Sequence, residues 1–284
     1  VAYSAPSTLQ GALSALAAGP VAVIAGGTDF YPGLRDAPAP TDLLDITGIA
    51  ELRGIARTPT GWRIGACTRW SEIVRADLPP AFDGLKAAGR EVGSVQIQNA
   101  ATVAGNLCNA SPAADGVPPL LTLEAEVELA SDRGKRRLPL GEFISGVRQV
   151  ALRPGELVAA LHLPDPPAGA RAGFAKLGSR RYMVISIAMV AVLVRLDGAG
   201  AIAEARIAVG ACSPVARRLP ALEVMLAGCP AARLAGFDIA PAHLEPLAPI
   251  DDLRGTAAYR LDAVAELCRR ALAEAVGVAE RGDG

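Results

Sequence analysis

The amino-acid sequence predicts an α+β chain of two domains, and three observations carry that expectation. Short apolar runs alternate with stretches of helical spacing in the first half, as where Leu9, Leu13 and Leu16 precede Val21-Ala22-Val23-Ile24. A breaker cluster, Pro164-Asp165-Pro166-Pro167-Ala168-Gly169, then interrupts the chain, because proline fixes φ and cannot donate to a helix or a central strand. Beyond it, two long β-rich runs at 187–196 and 202–212 are joined by Asp197-Gly198-Ala199-Gly200, the composition of a hairpin turn. With 284 residues, 51% of them hydrophobic, the chain can bury a core in each domain without disulfide or metal support. The expected domains are residues 1–164 and 170–280.

Taken in order, residues 8–18 read as a helix with Thr8 at the cap and Gly19-Pro20 as the stop. Val21 to Ile24 reads as a buried strand that ends at Gly26-Gly27. Residues 43–46 and 62–66 read as further strands, with turn chemistry between Gly54 and Gly61, and 68–75 and 82–92 read as helices. In the second domain 219–226 and 262–276 are helical, the latter through Val264, Leu267, Leu272 and Val276. That domain is then a smaller antiparallel sheet backed by helices.

Lys plus Arg total 28 against 29 Asp plus Glu, so net charge gives no reason to expect nucleic acid or an anionic membrane as partner. The run Arg133, Lys135, Arg136, Arg137 flanks Gly134 and reads as a solvated hairpin tip. Five scattered cysteines without a C-x-x-C pair argue against a disulfide framework, a zinc site or an iron–sulfur cluster held by this chain, and for a reducing compartment. No basic-then-apolar leader opens the sequence and no apolar run reaches membrane-spanning length, so a soluble, cytoplasmic protein without membrane insertion is expected. The sequence opens on Val1 rather than methionine, which leaves processing open.

Acid, base and nucleophile machinery is sparse. His162 alternates with leucines and reads as a half-buried strand position, while His243, in a proline-rich stretch, reads as an exposed loop residue. No G-x-S-x-G, H-E-x-x-H or Walker A sequence is present. What stands out instead is a pair of glycine-centred turns, Ile24-Ala25-Gly26-Gly27-Thr28-Asp29 and Thr102-Val103-Ala104-Gly105-Asn106, the second followed by Pro112 and Asp115. Glycine lets backbone N–H groups approach an anion closely, so two such turns make a cradle for one diphosphate. Each turn alone reads as an ordinary loop, and the first is not G-x-G-x-x-G, which disfavours a nicotinamide-type site. Together they point to a dinucleotide, with a flavin the best candidate, and a cofactor would explain the missing side-chain machinery.

Over essentially its whole length the chain resembles the FAD-binding medium subunit of the molybdenum hydroxylases, the xanthine dehydrogenase and carbon monoxide dehydrogenase family. Val23-Ile24-Ala25-Gly26-Gly27-Thr28-Asp29-Phe30 is similar to the family's first flavin segment, and Ala101-Thr102-Val103-Ala104-Gly105-Asn106-Leu107, with Ser111-Pro112 and Asp115, to its second. Phe174 to Arg181 and Asp251 to Arg260 match in the C-terminal part. The resemblance implies a vanillyl-alcohol-oxidase-type (PCMH-type) FAD-binding domain followed by the family's smaller C-terminal flavoprotein domain. It implies FAD held by residues 23–30 from one side and by Thr102, Val103, Ala104, Gly105 and Asn106 from the other. Asp115 would bind a polar part of the cofactor, Val158 would lie near the flavin ring or adenine, and Lys176 would approach from the second domain. Tyr182 is either a ring-side neighbour or a plain hairpin aromatic.

One departure bears on FAD affinity: where the family has two adjacent glycines in the second turn, this chain has Ala104 first. Its methyl is tolerated at negative φ and costs roughly 1–2 kcal/mol at positive φ. No residue suggests covalent flavin attachment. The resemblance further implies a heterotrimer in which a large subunit carries the molybdenum cofactor and a small subunit carries two 2Fe-2S clusters, with this chain delivering electrons to an external acceptor. A stand-alone FAD-dependent oxidase or reductase and a non-enzymatic scaffold that has lost flavin are the alternatives.

Overall fold

The structure is a computed structural model that describes residues 2–35, 37–38, 42–180 and 183–277. Tyr182 and residues 278–280 of the expected second domain lie outside the described residues. Two compact units organise the chain, and neither is one continuous stretch. The first is residues 1–76, 94–110 and 124–165; the second is 77–93, 111–123 and 166–284.

In the first unit β1 (Tyr3–Ser4), β2 (Val21–Ile24) and β3 (Asp42–Asp45) form a parallel sheet ordered β1-β3-β2, with Val21 opposite Asp42 and Ile24 opposite Asp45. Helix α1 (Leu9–Ala18) connects β1 to β2, and the Thr8 hydroxyl caps it by accepting the Gly11 N–H at 3.1 Å. Its Ala12 and Leu13 pack with Leu44, Ile49 and Leu52 in the core beneath the sheet. Short helix α2 (Phe30–Leu34) follows the first glycine turn, and α3 (Trp70–Arg75) precedes the second.

A second, antiparallel sheet in this unit contains β4 (Ile55–Thr58), β5 (Gly61–Gly65), β6 (Glu126–Ser131), which follows α7 (Val117–Thr122) of the second unit, β7 (Gly134–Pro139) and, after α8 (Leu140–Phe143) and the small β8 (Ile144–Gly146) and β9 (Gln149–Val150) hairpin, β10 (Leu157–Pro164). Its order is β4-β5-β10-β6-β7. The basic run lies at the tip of the β6–β7 hairpin as expected, with Arg133, Lys135 and Arg137 exposed. Strand pairing adds ion pairs to it: Lys135 Nζ sits 3.0 Å from Glu128 and Arg136 Nε 2.7 Å from Glu156. His162 Nε2 is 2.7 Å from the same Glu128 carboxylate, at the half-buried strand position its spacing predicts. Burial pushes the Glu128 carboxyl up, but Lys135 and His162 outweigh it and hold the pKa below the ordinary range.

The second unit is built on β11 (Arg171–Leu177), β12 (Ala188–Leu196), β13 (Ile202–Gly210) and β14 (Arg217–Arg218), antiparallel in that order. Alternation along β12 sorts its two faces. Ala188, Val190, Val192 and Val194 pack with α9 (Pro220–Leu226) and α10 (Ala257–Val276), while Met189 and Ala191 pack with Phe174 and with Ala88 of α4 (Asp83–Glu91). Helix α10 begins well before residue 262, because the Thr256 hydroxyl accepts the Tyr259 N–H at 3.2 Å and supplies the cap. His243 is a correction to the sequence reading. It is buried, and its Nδ1 accepts the Ala240 N–H at 3.1 Å, a bond that holds the ring inward.

Buried Arg260 reaches back from the first turn of α10 to Asp252 at 2.7 Å and to the carbonyl oxygens of Ile187 and Ala211. The Arg254 N–H and the two arginines lower the Asp252 carboxyl from 3.8 to about 2. A carboxylate with a depressed folded-state pKa stabilises the fold above its unfolded value, and that stability is lost as pH falls through the folded one. The urea midpoint of the native chain should therefore fall between about pH 4 and pH 2 more steeply than that of Asp252→Asn. Identical slopes would remove the Asp252 contribution.

Candidate cofactor-binding site

The first glycine turn begins where the parallel sheet stops. The Ile46 N–H donates to Ile24 O at 3.0 Å and closes the ladder. Beyond that bond the backbone N–H groups of Gly26, Gly27, Thr28 and Asp29 donate to no described residue. Four donors in succession without an acceptor among the described residues suit the binding of an anion. Gly27 has φ +69, and the Tyr31 N–H donates to Gly27 O at 3.0 Å as the turn enters α2. Gly26 meets other backbone directly: a Cβ there would lie 2.7 Å from the Ala100 carbonyl carbon, 2.9 Å from Ala101 Cα and closer still to Ala100 O. The first turn is thus packed against the chain that enters the second.

That second turn runs from α5 (Val95–Gln98) into α6 (Val103–Asn109), and Thr102 is the cap, its hydroxyl accepting the Gly105 N–H at 3.1 Å. Its backbone donors are already engaged. The N–H of Val103 donates to Thr68 O at 3.0 Å, that of Ala104 to Ala66 O at 3.2 Å, and that of Asn106 to Thr102 O at 3.1 Å. The segment therefore offers side-chain rather than backbone hydrogen bonds. Asn106 Oδ1 is buried without a partner among the described residues, a state that costs about 1–3 kcal/mol until a donor arrives. Ala104 is helical and not at positive φ, so its methyl brings no backbone strain.

Asp115 and Lys176 lie in the second unit and satisfy each other. Lys176 Nζ is 2.8 Å from Asp115 Oδ2, the Ser186 hydroxyl donates to Asp115 Oδ1 at 2.6 Å, and both charged side chains are about nine-tenths buried. Burial pushes the Asp115 carboxyl up in spite of Lys176 and Ser186. Lys176 also lines a cavity of about 340 Å³ with Ala87, Glu91, Phe174, Gly178 and Arg180. Val158 is a buried β10 residue opposite Leu129, beside the β10–β6 irregularity.

Residues 1–166 match the family model described as the FAD binding domain in molybdopterin dehydrogenase, and residues 174–275 match the CO dehydrogenase flavoprotein C-terminal domain. The chain belongs to this FAD-binding family. Among relatives of this FAD-binding chain, the xanthine dehydrogenase FAD-binding subunit of Escherichia coli O157:H7 is 31% identical over 282 residues, covering 98% of this chain and 96% of the relative. The nicotinate dehydrogenase FAD-subunit of Eubacterium barkeri is 33% identical over 236 residues, 80% of each. A chain of reconstituted CO dehydrogenase from Oligotropha carboxidovorans superposes with a TM-score of 0.89 at 28% identity, covering 98% of both. The FAD-binding chain is accordingly a component of an oxidoreductase, with the expected mixed helix-and-sheet fold.

The residues present fit FAD. The row of N–H donors from Gly26 to Asp29 suits a diphosphate, and the orphaned Asn106 oxygen suits a hydroxyl donor such as those of a ribityl or ribose. Among the described residues no group of three or more His, Cys, Asp or Glu could hold a metal ion, and no helix is long and apolar enough to cross a membrane. Sequence reasoning missed Ser186, whose hydroxyl reaches Asp115 from 71 residues away, and Tyr31, which packs on Gly27. An aromatic directly after Phe30 was the only available signal for the latter.

Proposed function

We propose that this chain is the electron-transferring FAD subunit of a multi-subunit molybdenum hydroxylase. It takes electrons from a partner that holds 2Fe-2S clusters, which is fed in turn by a large molybdenum-cofactor subunit, and passes them to an external acceptor. The observation that carries the reading is the first turn, whose four N–H groups donate to no described residue at the end of a strand, and whose Gly26 packs against Ala100 and Ala101 just before the second turn. Bound FAD supplies redox chemistry in one- or two-electron steps. The chain's own residues bind and orient it: Gly26, Gly27, Thr28 and Asp29 through backbone N–H groups, Asn106 through its side-chain oxygen, and Val23, Ile24, Ala25 and Phe30 by shaping the approach.

Both histidines are already engaged, which favours a relay over a self-sufficient oxidase. His162 is engaged by Glu128 in the five-stranded sheet, and His243 caps a backbone N–H in the second unit. Substrate hydroxylation then belongs to the partner. Purifying the tagged chain from its native cells should bring down molybdenum and iron with the flavin. A chain that purified alone and oxidised an aldehyde or an N-heterocycle unaided would contradict the relay.

Asn106 supplies a second test, in which two readouts move oppositely. Asn106→Leu removes an unsatisfied buried acceptor, so the apo-chain should keep its stability or gain up to about 1 kcal/mol. FAD affinity should fall by roughly tenfold as a hydrogen bond is lost. Unchanged affinity in a flavin titration would take Asn106 out of the site.

A further inference from the structure

Tyr31 is an aromatic ring left 55% exposed, yet it is tightly placed. Its edge packs on Gly27, where a Cβ would lie 2.5 Å from Cε2 and 2.7 Å from Cδ2, and its ring meets Phe30 edge-on at 5.5 Å between centroids. The ring therefore fills the space that a side chain at residue 27 would occupy. Its own N–H donates to Gly27 O, so ring and backbone grip the same residue from one side. Gly27 is the position of the turn that takes positive φ, and glycine samples many other conformations when nothing holds it. Without a brace, the turn would hold this conformation only part of the time, and an anion would have to order it on binding.

From this we infer that Tyr31 is a positioning residue for FAD: its ring braces Gly27 so that the N–H groups of residues 26–29 are preorganised for the diphosphate. The inference rests on the reading of the first turn as the diphosphate cradle. The ring does the bracing through its carbon edge, so the hydroxyl is dispensable. The large exposed aromatic is thereby explained as well, since its contacts serve the turn rather than the core.

Titration of the full-length apo-chain with FAD, followed by flavin fluorescence, tests the inference with Tyr31→Ala, Tyr31→Phe and Gly26→Ala. Tyr31→Ala should weaken FAD about tenfold, as preorganisation is lost, while the melting temperature of the apo-chain stays within error of the native one. Tyr31→Phe should bind FAD as the native chain does. Native-like affinity in Tyr31→Ala with loss in Gly26→Ala would overturn the brace and leave the cradle standing. Native-like affinity in Gly26→Ala would overturn the cradle itself. Equal losses in Tyr31→Ala and Tyr31→Phe would assign the effect to the hydroxyl and overturn the brace.

Discussion

Gly26→Ala is expected to yield a folded chain that has lost its flavin. The added Cβ would sit inside contact distance of the Ala100 carbonyl and of Ala101 Cα, which are backbone atoms that cannot rotate away. The first turn must then move off the segment that leads into α6. Inserting one methyl into a packed site typically costs about 1–3 kcal/mol, and a backbone clash belongs at the upper end. The consequence for binding is larger, because residues 26–29 and Asn106 must keep their spacing to act on one ligand, and a shift near 1 Å is enough to lose roughly a hundredfold. Absorbance at flavin wavelengths, normalised to protein, reads the binding loss, and a thermal melt reads the structural part. A variant that stays yellow would overturn the first turn as the flavin cradle.

The second large effect is on stability. Asp115 and Lys176 form a buried pair, and removing one partner strands the other charge away from water, at a cost of about 3–5 kcal/mol. Asp115→Ala should lower the melting temperature by roughly 10 °C on that basis. Replacing both, as Asp115→Asn with Lys176→Met, keeps an acceptor for Ser186 and leaves no charge, so most of the loss should return. Lys176→Met alone carries a pH signature. Burial already raises the Asp115 carboxyl, and without the ammonium it rises further. A raised carboxyl pKa means that the folded state binds the proton more tightly than the unfolded one. The stability of Lys176→Met should therefore increase as pH falls through the folded-state pKa and decrease as pH rises through it. Additive single losses in the double variant would refute the pair as the cause.

The elements that position the first turn were legible because their signals are local. Thr8, the Leu9, Leu13 and Leu16 repeat and Gly19-Pro20 bracket α1, and Val21-Ala22-Val23-Ile24 is a strand as expected, though at the sheet edge with Val23 exposed rather than buried. Helix α10 was cut short in the sequence reading because Thr256 sits inside a glycine-containing turn, and its capping role appears only with the Tyr259 N–H in place. What escaped the sequence was long-range pairing. Nothing near Val103 or Ala104 shows that their N–H groups are engaged by Thr68 and Ala66, so a backbone cradle was expected where a side-chain oxygen is offered. Asp115 and Lys176, each read as reaching for the cofactor, are brought together across 61 residues. His243 was misread for the same reason, since its partner is set by a local 3-10 turn, Pro241–Leu244, that the surrounding prolines conceal.

The visible absorption spectrum of the purified chain, with identification of the cofactor released on heating, decides whether the first turn holds FAD. Flavin bands and released FAD in proportion to the protein are expected. A colourless chain that also failed to take up added FAD would contradict that reading, and would make the four unengaged N–H groups of the first turn a feature of the fold alone.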